Sequence, residues 1–167
     1  MAVTGAIKRQ FKGHFLEVPN STITPDIVRL GSGIEEMNIE LNPEVTKQQD
    51  IIGFVSVKLT SYEPTQSVEP YFAVVGDKLF DWLESIAKER KILDDVVTYA
   101  IDVDLYEDPV AGAYPATRER CIIAIQSYGG NTEGYQIPFT IERTNEVQQG
   151  TFNPTTKTWI ETVVVAP

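Results

Sequence analysis

The sequence predicts a mainly β domain, a β-sandwich or partial barrel with one flanking α-helix, and three observations carry that reading. Apolar residues recur with period two through most of the chain after Pro25. One segment alone has the helical period. The third observation is composition: 167 residues, 42% apolar and 23% charged, suffice for one ordinary globular domain without disulfide or metal. The chain has one Cys, Cys121, and one His, His14, so intramolecular disulfides, zinc fingers and thioredoxin-type pairs are excluded. A net charge of −10 argues against a groove that grips phosphates.

Residues 1–25 carry Lys8, Arg9 and Lys12 against Glu17, a net +2 beside −12 on the rest of the chain. They lack clean periodicity and end in polar residues and Pro25, which predicts an extended, flexible basic arm followed by a single β domain over 26–167. No apolar run in the chain is long enough for a signal peptide or a membrane span.

Met37, Ile39 and Leu41 alternate with polar residues, as do Val55, Val57 and Leu59; each set reads as a strand with one buried and one wet face. Leu79, Trp82, Leu83 and Ile86 fall at i, i+3, i+4 and i+7, which predicts a helix over about 77–91, capped by Asp77 and supported by the Glu84–Lys88 pair. Val97, Tyr99, Ile101, Val103 and Leu105 alternate again, while Cys121 to Ile125 is apolar on both faces, as a doubly covered central strand should be. Tyr135, Ile137, Phe139 and Ile141 form the next strand, joined to its predecessor by a Gly129-Gly130-Asn131 hairpin turn. The last two strands, Val147 to Phe152 and Thr158 to Val165, flank a turn at Asn153-Pro154.

Chemistry has few places to sit. Asp102 and Asp104 share the wet face of one strand, with Glu107 and Asp108 close behind, but no calcium-loop spacing accompanies them and no Lys or Arg lies between residues 92 and 117. They read as a solvated acidic face. Gly31-Ser32-Gly33 lacks the third glycine and following helix of a dinucleotide fingerprint, so it reads as a turn. His14 has no visible catalytic partner, and Cys121 reads as a core thiol. The expectation is a non-enzyme without metal or cofactor.

The segments at strand ends are more informative. They are Glu40 to Glu44, Ser61 to Thr65, Val68 to Tyr71, Ser127 to Phe139, and Gly150 to Phe152. In this order and spacing, from about Ile34 to Trp159, they resemble the major tail tube proteins of tailed bacteriophages and prophages, particularly those infecting Gram-positive bacteria. That family is related to type VI secretion tube proteins. The resemblance implies a β-sandwich-like subunit with one flanking helix, six of which form a ring, with rings stacked into a tube. It implies partners that are further copies of the chain, the tape measure and tail terminator proteins, and a sheath where one exists; DNA would be passing cargo, with no membrane involved. It implies a place in the virion tail after synthesis in the host cytoplasm. An acidic wall suits such a tube, because like charge disfavours phosphate contacts that would retain DNA.

The charge split suggests how rings would meet. Lys8, Arg9 and Lys12 of the arm could reach acidic residues of a neighbour, for which Glu35, Glu36, Glu44, Asp94 and Asp95 are candidates, and such stacking would weaken as salt rises. Two alternatives stand beside this reading. One is a tube-initiator or baseplate component of the same fold. The other is a small β-sandwich binding module, for instance for carbohydrate, which would display exposed aromatics, with Tyr71, Tyr114 and Tyr128 as candidates.

Overall fold

The period-two segments assemble into one large antiparallel sheet, seen in a computed structural model that describes residues 4–20 and 22–162. Its strands are β1 (Lys12–Val18), β2 (Asp26–Leu30), β3 (Ile39–Glu40), β6 (Thr65–Val68), β7 (Val97–Asp104), β8 (Tyr114–Ile125), β11 (Phe139–Asn153) and β12 (Thr158–Glu161). The order is β2-β1-β7-β8-β11-β6-β3, with β12 added on β11. Two hairpins stand apart from the sheet: β4 (Pro43–Gln49) with β5 (Val55–Tyr62), and β9 (Gly129–Asn131) with β10 (Gly134–Gln136).

The one α-helix among the described residues, α1 (Lys78–Glu89), lies where its apolar stripe placed it, and Leu79, Trp82, Leu83 and Ile86 are all buried. Asp77 accepts from the Leu79 N–H, Arg90 closes the helix in the left-handed conformation, and Glu84 and Lys88 pair at 2.8 Å. The stripe packs on Leu16, Ala100, Cys121, Ile123, Phe139 and Ile141 of the sheet. On the opposite face Phe15, Ile27, Ile101, Val103, Ala116 and Phe152 form a second core, covered by Trp159. Neighbours in sequence such as Phe15 and Leu16, or Ala100 and Ile101, thus serve different cores, as the pleat requires. The result is the expected class, mainly β with one flanking helix.

Several expectations about segments change. Residues 12–18 are not part of a flexible arm: β1 lies between β2 and β7, with six of its seven residues buried. Burial on both faces removed the alternation that would have revealed it. The domain therefore begins well before residue 26, and residues 1–3 of the expected arm lie outside the described residues. Gly129-Gly130-Asn131 is a strand of its own small hairpin rather than the turn between the two long strands. The expected strand at 135–141 divides, Tyr135 falling in β10 and Ile137 between strands, while Phe139 and Ile141 run on with 147–152 in the 15-residue β11, bent by a bulge between Arg143 and Val147. The expected strand over Met37 to Leu41 shrinks to Ile39–Glu40. The last strand is described only to Glu161, so its expected continuation to Val165 lies outside the described residues beyond 162.

Candidate assembly surface

The β4–β5 hairpin is a part of the fold that the other described residues leave uncovered. Every residue of both strands is exposed apart from half-buried Ser61. The expected wet face and buried face of Val55, Val57 and Leu59 are both in solvent, because no second layer lies against them among the described residues. Register assigns the side chains to faces. Val45 stands opposite Leu59, Lys47 opposite Val57 and Gln49 opposite Val55, so Val45, Val55, Val57 and Leu59 share one face with Lys47 and Gln49. Thr46, Gln48, Ser56 and Lys58 take the other. At the tip, Asp50 Oδ1 accepts from the N–H groups of Ile52 and Phe54 at 3.1 and 2.9 Å, and Gly53 supplies a positive φ of 89°. This turn holds Ile51, Ile52 and Phe54 outward at 105%, 75% and 73% exposure. A two-stranded hairpin alone is marginal in water, and its apolar strip is the kind of surface that proteins otherwise cover.

The root of the hairpin is tied down. Asn42, at φ 43°, donates through Nδ2 to the Glu63 carbonyl at 3.0 Å, and the Glu63 N–H donates to the Leu41 carbonyl. Asn145, on the β11 bulge, donates through Nδ2 to the Tyr62 carbonyl at 2.8 Å.

Behind that bulge lies a buried polar cluster that sequence reasoning missed. The Arg143 guanidinium, its side chain 3% exposed, donates through Nη1 to Asp102 Oδ2 (2.6 Å) and Glu119 Oε2 (3.0 Å). Its Nη2 donates to Gln66 Oε1 (2.7 Å) and Asp102 Oδ1 (3.2 Å). His14 Nδ1 lies 2.5 Å from Asp102 Oδ1. Burial pushes the Asp102 carboxyl up, but the His14 hydrogen bond and the Arg143 charge together hold it below the ordinary value. Asp102 is therefore not part of a solvated acidic face, and His14 does have a partner. Asp104 is likewise engaged, in an ion pair with Lys12. Only their shared face of β7 was legible from spacing; the partners come from β1, β8, β11 and β6.

The remaining candidates scatter. Arg9 donates to the carbonyls of Lys12 and Met37 within its own chain, and with Lys12 it lines a groove that also contains Glu35. Lys12 and Arg9 are thus docked on their own domain, contrary to the expectation of an arm reaching outward. Lys8 is exposed, as are Glu35, Glu36 and Glu44; Glu36 accepts from Asn38, and Glu44 from Ser61 on β5. Asp94 and Asp95 are exposed in the 3-10 turn Leu93–Val96, beside a shallow apolar groove of about 480 Å³ lined by Ile86, Ile92, Leu93, Val96 and Tyr128. Tyr71 is buried and donates to Asp77, and Tyr114 is half-buried against the second core, so of the three aromatics considered for a binding face only Tyr128 is exposed. Burial pushes the Cys121 thiol up to about 12, the mark of a core thiol. Among the described residues no helix is long and apolar enough to cross a membrane. Neither a protein-family model nor a curated protein matches the chain.

Proposed function

We propose that the chain is a structural subunit that assembles with copies of itself into stacked, hexameric rings forming the tail tube of a bacteriophage or prophage, with DNA as passing cargo. The single observation that carries the self-assembly is the amphipathic β4–β5 hairpin, whose apolar strip of Val45, Val55, Val57 and Leu59 and tip of Ile51, Ile52 and Phe54 have no cover among the described residues of the subunit. A hairpin that fits a different surface on the next copy makes a heterologous contact, and heterologous contacts propagate into rings or open tubes. The ring of six, the tape measure and terminator partners and the virion tail come from the resemblance of the strand-end segments. The acidic balance supports the same reading, since a wall of net charge −10 per subunit does not hold passing phosphates. The subunit acts by shape and contact, without catalysis.

Negative-stain microscopy and sedimentation of concentrated protein test this. The parent forms rings or tubes, and Val57→Lys combined with Leu59→Lys leaves a monomer of unchanged melting temperature. A parent that stays monomeric at every concentration, or a double variant that assembles as readily as the parent, overturns the reading.

A further inference from the structure

The cluster behind the hairpin is expensive as a stabilising device. It buries a guanidinium against two carboxylates and leaves Arg143 Nε and Gln66 Nε2 buried without a partner. Buried ion pairs of this kind are commonly matched or exceeded in stability by apolar residues of the same volume, so net stability alone does not account for the cluster. Here the geometry leads outward. Glu119 Oε2 is held by Arg143, while Glu119 Oε1 accepts from the Asn145 N–H at 3.0 Å and so fixes the bulge residue at φ 63°. The side chain of Asn145 then reaches the Tyr62 carbonyl, the last residue of β5. The Arg143 N–H meets the Pro64 carbonyl at 3.0 Å, and its guanidinium holds Gln66, so the strand leaving the hairpin is gripped by the same residue.

We propose that Arg143, Glu119 and Asn145 are positioning residues that aim the β4–β5 hairpin relative to the sheet, so that its apolar face meets the next copy at one angle. This rests on the reading of the hairpin as the assembly surface, but the aim itself is a property of the monomer. Repeated ring on ring, an error in hairpin angle accumulates, so a tube needs its connector oriented before contact; preorganisation also lowers the ordering cost of association. Asn145 is the link that can be cut alone. Glycine adopts the left-handed conformation freely and keeps the N–H that Glu119 accepts, so Asn145→Gly removes the tether to Tyr62 and leaves the ion cluster in place.

The experiment measures the distance distribution between nitroxide labels at Ser56→Cys and Glu89→Cys, both exposed, in dilute monomer; Cys121 is fully buried and stays unlabelled. In the parent the distribution is narrow. In Asn145→Gly, and in Asn145→Asp, which has no donor for Tyr62, it broadens, the melting temperature stays within a few degrees, and unlabelled protein polymerises roughly tenfold more slowly, the weight of one lost hydrogen bond. A distribution unchanged in both variants overturns the proposal whatever assembly does. Broadening with undiminished polymerisation also overturns it, because the aim then has no consequence. Broadening in a chain whose parent never assembles upholds the clamp and removes only the self-assembly reading.

Discussion

His14 and Asp102 face each other directly across β1 and β7, and the only imidazole in the chain meets that carboxylate at 2.5 Å in a half-buried setting. Asp102 also receives both Nη atoms of Arg143, so one carboxylate joins three strands that are far apart in sequence. Its proton affinity in the folded state lies below the ordinary value of 3.8.

That shift has a signed consequence. A carboxyl whose pKa is lowered by folding binds its proton more weakly in the native state, so its stabilising effect is full above the ordinary Asp value and disappears as pH falls below it. Asp102→Asn should lower stability at neutral pH by roughly 3 kcal/mol, because it removes one partner of a buried pair. Thermal melts across the acid range check this: the gap between parent and variant should shrink below about pH 4. A gap that stays constant with pH sinks the assignment.

The helix stripe makes a second prediction. Leu83 is fully buried between α1 and the sheet, and Leu83→Ala should cost about 2 to 5 kcal/mol through lost transfer energy and the cavity left behind. Urea titration reads it as a lower midpoint at unchanged slope. An unaltered midpoint would mean that the helix is not docked there.

Gly150 gives a third. A Cβ there would sit 2.3 Å from the Ile160 carbonyl oxygen and 2.7 Å from the Trp159 ring, both on the neighbouring β12. Gly150→Ala should therefore push β12 away and let water reach Trp159, seen as a red shift in tryptophan emission and a lower melting temperature, by on the order of 1 to 3 kcal/mol for an overpacked site. Emission identical to the parent's would show that β12 yields without cost.

The fourth concerns salt. Lys12 is paired with Asp104 and Arg9 bonds to backbone carbonyls of its own chain, whereas the hairpin leaves its apolar strip exposed. Assembly should then strengthen in sulfate, which favours apolar burial, and should not follow the collapse of the Debye length from about 10 Å at 0.1 M to 3 Å at 1 M. Light scattering against ammonium sulfate and sodium chloride distinguishes the two, and assembly that dissolves steadily in sodium chloride would return the arm to the central place.

Local chemistry determined a great deal of this protein. The stripe of Leu79, Trp82, Leu83 and Ile86 and the cap at Asp77 fix α1 within a residue or two, because helical contacts and caps are made between residues three or four apart. The alternation through β7 likewise announces a strand, since the pleat is a local property. What covers a strand is not local. β1 looked like an arm because both its faces are buried, and Val55, Val57 and Leu59 looked half-buried although none of the described residues covers them. Asp102 looked solvated because its partners, His14 and Arg143, stand 88 and 41 residues away. Period identifies a face, and only the tertiary structure decides whether that face meets water, a core or an ion pair, because the partner is delivered by strand order and by the bulge in β11.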